Sequence, residues 1–217
     1  MYSFIIQRLI DLFSKFPGVG PKTATRFVFY LIKIPKEKIE ELIKTLKDLK
    51  EKIKICSICY KSFEINSDEE KKTCSICSDI RRDKSIICIL EKEIDLEAME
   101  KTKEYKGFYF ILGSVISNLD ENLKKEIERR VDELIERIKN NPEIKEIIIA
   151  LNPTFEGENT SLWLKRKLRS LVIERPSLKI TSLGLGLPVA GEIEYADEDT
   201  LISALKNRKE NLENKKD

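Results

Sequence analysis

The apolar positions of this chain change their spacing partway along the sequence. In the first part they recur at intervals of three and four residues, which predicts helices. Two stripes predict two helices joined by a turn that holds two glycines, and a third predicts a helix over about residues 35–54, which we expect to pack on the first two. The stripes are Ile5, Leu9, Leu12, Phe13 and Phe16; Ala24, Phe27, Val28 and Leu31; and Ile39, Leu42, Ile43, Leu46 and Leu49.

Later in the chain, the apolar residues gather in short continuous runs that alternate with further helical stripes. The runs cover residues 86–90, 108–112, 147–151 and 178–183. Continuous apolar runs are typical of strands in a parallel sheet that is covered on both faces, and their alternation with helices predicts such a sheet. The fold class is therefore α/β with more than one domain. Asp197 or Asp199 is expected to cap a last helix that begins near Thr200.

Composition places the chain among globular proteins, with 217 residues of which 41% are hydrophobic and 36% charged. The formal net charge of +2 does not by itself indicate a nucleic-acid partner, so charge has to be considered locally. No apolar run is long enough to span a membrane, and residues 1–13 do not resemble a secretory signal, so we expect a cytoplasmic protein. Because the chain has no histidine, acid–base chemistry would fall to carboxylates or lysines.

The most specific chemical signal is a pair of CxxC segments, Cys56/Cys59 and Cys74/Cys77, separated by 14 residues. Two such turns predict a closed tetrahedral site for one structural Zn2+ per chain, with no open position for catalysis. The alternative, two disulfides, would need an oxidising compartment, which nothing in the sequence indicates. The fifth cysteine, Cys88, lies within an apolar run and is expected to be a core residue.

The turn between the first two helices has features of a phosphate-binding site. Gly18 and Gly20 allow the backbone to approach another chain closely, and Lys22 and Arg26 lie four residues apart on one face of the second helix. The N–H groups at the start of that helix favour an anion. This pattern resembles a helix-hairpin-helix motif, which binds DNA phosphates without reading sequence. The alternative is an ordinary helical hairpin with a Gly-Pro turn.

Parallel sheets bind ligands at the carboxyl ends of their strands, where this chain places Glu91 and the loop of residues 152–160. The arrangement resembles a Toprim domain, in which a glutamate ends one strand and an Asp-x-Asp pair ends another, together binding Mg2+. Glu91 matches the first position, but residues 152–154 (Asn-Pro-Thr) contain no carboxylate. Glu156 and Glu158 lie nearby at a shifted spacing. A Mg2+-dependent nuclease therefore remains an alternative that lacks half of the ligand set.

The order of these modules, with a tail that contains Gly-Leu-Pro-Val-Ala-Gly, resembles the RecR family of bacterial recombination mediators over nearly the whole chain. That resemblance implies a non-catalytic, nucleoid-associated protein that works with RecO, and in some settings RecF, to load RecA onto single-stranded DNA coated by SSB. Ring-shaped homotetramers, assembled through the terminal regions, would encircle single- or double-stranded DNA. By motif match, the residues on the DNA path would be Gly18, Gly20, Lys22 and Arg26. Glu156 and Glu158 would face RecO.

The resemblance divides the chain into four predicted segments. They are a helix-hairpin-helix domain at 1–54, a four-cysteine zinc finger at 55–79, a Toprim-like domain at 80–176, and a Walker B-like oligomerisation segment at 177–217. Two alternatives stay open for the function. One is the Toprim-type nuclease, with Glu91 as a metal ligand. The other is a zinc-stabilised DNA-binding scaffold without a role in recombination.

Overall fold

The computed structural model describes residues 2–65, 72–116, 121–184, 186–187 and 190–208. The chain forms two units, Met1–Lys54 with Glu64–Glu70, and Ile55–Phe63 with Lys71–Asp217. The backbone therefore passes from one unit to the other three times, after residues 54, 63 and 70.

The first unit is built from helices α1 (Phe4–Phe13), α2 (Pro21–Lys33) and α3 (Lys36–Lys52). Proline at the first position of α2 suits a helix start, because its missing N–H would have no partner there. The two helices pack against each other as predicted, but the predicted stripes were only partly right, because Ile5 and Leu12 of α1 and Phe27 of α2 are exposed. Their shared core consists of the buried Ile10, Ala24 and Val28, against which Ile6, Leu9, Phe13 and Val19 pack.

Helix α3 does not complete this core, so the expectation that it packs on the first two helices was wrong. None of its residues is buried in the structure described. Leu42, Ile43, Leu46 and Leu49 remain 42–54% exposed. The helical period was inferred correctly, but the period alone does not say what the apolar face packs against. α3 thus presents an apolar face to its surroundings.

The second unit contains a four-stranded parallel sheet. After the short strands β1 (Ile53–Ile55) and β2 (Ser62–Glu64) and the one-turn helix α4 (Ser75–Ser78), strands and helices alternate as the sequence predicts. All pairings in the order β4-β3-β5-β6 are parallel. The elements are β3 (Asp83–Leu90), α5 (Glu93–Thr102), β4 (Gly107–Ile111), α6 (Glu121–Asn140), β5 (Glu146–Ala150), α7 (Phe155–Glu174) and β6 (Lys179–Ser182).

The two faces of the sheet carry separate cores, because successive side chains of a strand point in opposite directions. On one face, Ile87 and Ile89 pack with the apolar stripes of α6 and α7. On the other face, Cys88 and Leu90 pack with Leu96 of α5 and with the four CxxC cysteines, of which Cys77 is partly buried. Cys88 is fully buried, as expected, and burial raises the pKa of its thiol to about 12. The cysteine turns therefore cover that face together with α5.

The tail ends in a 3-10 turn (Ile193–Tyr195) and helix α8 (Glu198–Lys206). The Asp197 carboxylate caps α8 by accepting from the Thr200 N–H over 2.8 Å, which confirms one of the two expected caps. None of α8's residues is buried in the described structure. Across the described ranges, no helix has both the length and the apolar character that crossing a membrane requires.

Candidate metal centre and nucleic-acid interface

Each CxxC segment folds into a tight turn. In the first, the Tyr60 N–H donates to the Cys56 carbonyl over 3.0 Å, and the Cys56 N–H donates to the Lys61 carbonyl over 2.8 Å. In the second, α4 begins directly after Cys74, and the Ser78 N–H donates to the Cys74 carbonyl over 3.1 Å. The Cys74 N–H also lies 3.4 Å from the Cys56 sulfur, so the second turn supports a thiolate of the first.

The four sulfurs lie within 4.8 Å of one another, and all five cysteines of the chain are free thiols. Cys59 and Cys74, which belong to different turns, have their Sγ atoms 3.5 Å apart. The structure therefore gathers one quartet instead of two disulfide-bonded pairs. Hydrogen bonds within the quartet lower the pKa of Cys56 and raise the pKa values of Cys59 and Cys77. Four converging sulfur donors fit a tetrahedral metal ion, whose charge would offset the repulsion among thiolates.

The first cysteine turn lies against the edge of the sheet. Strand β4 is the outermost strand on that side, and its Ile111 N–H donates to the Cys59 carbonyl over 2.9 Å. Tyr60, the next residue, has a left-handed backbone (φ 64°), which costs a non-glycine residue about 1–2 kcal/mol. Its ring compensates by stacking edge-on against Phe110 at 5.4 Å and by lying under the Arg130 guanidinium at 4.4 Å. The first cysteine turn thereby contacts both β4 and α6.

The turn between α1 and α2 has the open geometry that a phosphate needs. Gly18 has φ 75°, in the region that favours glycine, and no atom lies within 4 Å of where a Cβ would stand at Gly18 or Gly20. The first intrahelical bond of α2 runs from the Ala24 N–H to the Gly20 carbonyl over 2.9 Å. The N–H groups of Lys22 and Thr23, in the first turn of α2, thus have no intrahelical acceptor and can donate to an anion. Lys22 and Arg26 are both exposed beside them.

At the carboxyl ends of the central strands β3 and β5, the Glu91 carboxylate is already paired. Its residue is only 5% exposed. One oxygen accepts from the Lys92 ammonium over 2.7 Å, and the other accepts from the Asn152 amide over 3.0 Å. Burial works to raise the pKa of Glu91, but these two hydrogen bonds outweigh it and hold the pKa below its ordinary value. The carboxylate therefore stays ionised with a built-in cation beside it.

The loop after β5 is shaped by backbone contacts more than by its acidic residues. The Thr154 hydroxyl caps α7 by accepting from the Gly157 N–H over 3.1 Å. A Cβ at Gly157 would stand 2.0 Å from the Asn152 carbonyl oxygen, so only glycine fits there. Glu156 and Glu158 are exposed on the first turn of α7. Outside the cysteine quartet, no group of three or more potential metal ligands occurs in the described part of the chain.

Sequence reasoning identified Glu91, but it missed Lys92 and Asn152 as its partners and Gly157 as the residue that sets the loop. Asn152 directly follows the carboxyl end of the central strand β5. A polar residue at that position lies close to the carboxyl end of the neighbouring strand β3. That placement was a signal available in the sequence. The contact at Gly157 depends on the path of the loop and had no comparable signal.

Comparison with protein families finds three matching models. RecR, helix-hairpin-helix, matches residues 6–50; Toprim domain matches 85–180; and RecR, C-terminal, matches 186–209. The described Gly18–Arg26 segment falls inside the first range, and the second covers all of the parallel sheet except the first residues of β3 and the last of β6. The cysteine quartet lies between them.

Similarity to individual proteins extends over nearly the entire chain. The Recombination protein RecR of Bifidobacterium adolescentis is 42% identical over 208 residues, which cover 96% of this chain and 97% of the relative. The Recombination protein RecR of Chloroherpeton thalassium is 41% identical over 211 residues, with 96% and 98% covered. The similarity therefore includes the cysteine turns and the tail as well as the two larger modules.

Proposed function

The chain belongs to the RecR family of recombination proteins, and we propose that it acts in DNA repair as a non-catalytic recombination mediator. The observation that carries this proposal is similarity at 41–42% identity over 96% of the chain. The finer role is to help RecO, and in some settings RecF, load RecA onto SSB-coated single-stranded DNA. Its functional modules would be the segments 1–54, 55–79, 80–176 and 177–217. It would work in the cytoplasm, on the nucleoid.

The mediator role has a direct assay. RecA ATP hydrolysis on SSB-coated single-stranded DNA reports filament formation, and this chain with RecO should shorten its lag. A lag that is unchanged at saturating RecO and protein would refute the mediator role. It would favour a DNA-binding scaffold without a part in recombination, provided that DNA binding itself is intact.

The DNA contact is assigned to the α1–α2 turn, through backbone N–H groups and the side chains of Lys22 and Arg26. Replacing both by glutamine should lower DNA affinity and reduce the slope of log affinity against log salt by about 0.7 per lost contact on single strands. Lys44→Gln with Lys47→Gln removes the same charge from exposed positions on α3 and serves as the matched control. Equal loss in both double variants would show a diffuse charge effect and would contradict the assignment.

We assign Zn2+ to Cys56, Cys59, Cys74 and Cys77, one ion per chain. Four thiolates leave no position for water, so the ion's contribution is to hold the two cysteine turns together on the sheet. Elemental analysis of the purified chain should find about one zinc per chain. Another metal in its place, or none, would refute the assignment.

RecO is placed at the exposed Glu156 and Glu158 on the first turn of α7. The pair Glu156→Gln and Glu158→Gln should weaken RecO binding in a pull-down or titration. Glu104→Gln with Glu174→Gln removes the same charge from other exposed positions. Undiminished binding by the first pair would move RecO elsewhere.

Self-association into a ring, a tetramer by analogy with the family, is supported by apolar side chains near both ends of the chain. The α3 face has Leu46 and Leu49 each 54% exposed, and the tail has Leu205 64% and Tyr195 81% exposed. Patches of this kind typically mark protein interfaces. Light scattering should give a mass above the 25.2 kDa monomer, and Leu46→Asp should lower it. A monomeric wild type at micromolar concentration would refute the ring.

The non-catalytic assignment is supported by the state of Glu91, whose two oxygens are taken by Lys92 and Asn152. Mg2+ chemistry needs several oxygen ligands that converge. We expect no Mg2+-dependent nicking of DNA. Nicking that Glu91→Gln abolishes would restore the nuclease alternative.

A further inference from the structure

Arg137 of α6 shares a cavity with Glu133 and Glu143 but forms no ion pair with a described carboxylate. The nearby Glu133 instead accepts from Arg129 and from the Tyr60 hydroxyl. Arg137 is partly buried, and a buried cation without a compensating charge is costly. Its surroundings should therefore supply negative charge from another source.

That source is the cysteine quartet. The Arg137 guanidinium donates to the Ile58 carbonyl over 3.3 Å, and Ile58 lies inside the first CxxC turn. Arg137 and Cys77 also line the same cavity of about 470 Å³. Burial lowers the pKa of Arg137, a cost that nearby negative charge would offset. The guanidinium thus lies beside the centre without being one of its ligands.

A centre made of one divalent ion and four thiolates has a formal charge of −2. Where such a centre is partly shielded from water, it needs cations or hydrogen-bond donors around it. We infer that Arg137 is a cation that partly offsets the charge of the four-cysteine metal centre and positions it, and that it slows loss of the metal. This inference rests on the metal assignment made above. Cys77 is the one ligand cysteine that is not fully buried, so release would begin at the sulfur that shares a cavity with Arg137.

The opposing interpretation is that Arg137 only packs. Its guanidinium lies 5.8 Å from the centre of the Phe108 ring, and the bond to Ile58 alone could hold the first turn in place. The two roles differ in what charge does. Arg137→Lys keeps the positive charge beside the metal centre, and Arg137→Met removes it. Both substitutions remove the planar guanidinium that contacts Phe108 and donates through several N–H groups.

The test compares zinc release from the full chain to an excess of chelator, followed with a colorimetric zinc indicator. Arg137→Met should release zinc about 10–100-fold faster than wild type, the range typical when a partner around a metal site is removed. Arg137→Lys, which keeps the charge, should release zinc clearly more slowly than Arg137→Met. Arg169→Met, an exposed arginine on α7, is the charge-matched control and should release zinc at the wild-type rate. If Arg137→Met does not fold, Arg137→Gln replaces it.

A second readout separates charge from packing. In the Co2+-substituted protein, the sulfur-to-metal charge-transfer band should move to lower energy in Arg137→Met and hold its position in Arg137→Lys. Equal acceleration by methionine and lysine with an unmoved band would overturn the inference, as would wild-type release from Arg137→Met. A wild-type chain that binds neither Zn2+ nor Co2+ would instead refute the metal assignment itself.

Discussion

Replacing Gly157 by alanine should destabilise the second unit, because the loop after β5 leaves no room for a methyl group. The new Cβ would stand 2.0 Å from the Asn152 carbonyl oxygen and 3.2 Å from the Thr154 hydroxyl. The nearer atom belongs to the backbone and already accepts the Thr154 N–H over 2.8 Å. It cannot move without opening the turn, so the clash cannot be relieved by a side-chain rotation.

The cost can be assembled from its parts. Overpacking of this kind costs about 1–3 kcal/mol, and loosening the Thr154 cap costs about 1 kcal/mol. A shift of Asn152 would also weaken its hydrogen bond to the charged Glu91. Alanine's better helix propensity returns at most about 1 kcal/mol. The net loss should be roughly 1–3 kcal/mol, or about 2–12 °C in Tm for a unit of this size.

Urea denaturation followed by fluorescence suits this measurement, because the only tryptophan of the chain, Trp163, packs against the core beneath α7. Gly184→Ala is the matched control, since no atom lies within 4 Å of its Cβ position, and it should change stability little. A Gly157→Ala variant that unfolds within about 0.5 kcal/mol of wild type would show that the loop adjusts freely, and the proposed steric requirement would be wrong.

Three further outcomes are expected. Cys56→Ser should lose most of its zinc and the cooperative unfolding of the second unit, whereas full zinc content and stability would contradict a structural metal. The hydrogen bonds from two arginines of α6 lower the pKa of Glu126 to about 2, so its contribution is present above the unfolded pKa of about 4.3 and is lost as the pH falls towards 2. At pH 7 the free energy of unfolding of wild type should exceed that of Glu126→Gln by less than about 1 kcal/mol, because the Glu126 side chain is 38% exposed. In acid titrations of stability, the difference should vanish near pH 2. Lys103→Gly should stabilise the protein by about 0.5–1 kcal/mol, because Lys103 is exposed and has φ 60°. Tyr60→Gly should destabilise it despite φ 64°, because the variant loses the contacts of the Tyr60 ring. Changes in Tm of the same sign for both variants would refute this contrast.

The sequence predicted the elements that depend on local pattern. The parallel strands followed from apolar runs of a few residues, and the quartet followed from two CxxC segments 14 residues apart. Asp197 as a cap belongs to the same class. These features need only the chain's local chemistry, so a single sequence suffices for them.

Features that depend on which surfaces meet could not be predicted. The apolar stripe of α3 is the same whether it packs inside the chain or faces outwards. Arg137 lies 60 positions after Cys77, and nothing in a helix stripe indicates that one arginine of several reaches the Ile58 carbonyl. The ion pair between Glu91 and Lys92 likewise depends on which rotamer each side chain adopts. Such pairings arise from tertiary geometry, which periodicity does not encode.

The position of the first cysteine turn on β4 has a consequence for how this protein would fail. β4 reads Gly-Phe-Tyr-Phe-Ile, an uncharged segment rich in residues that favour strands. An uncovered edge strand of this composition is a template for pairing with other chains. Because the Cys59 carbonyl accepts from the Ile111 N–H, the first cysteine turn covers this end of the edge strand. If the proposed zinc holds that turn in place, chelation during purification should end in precipitate more readily than in reversible unfolding.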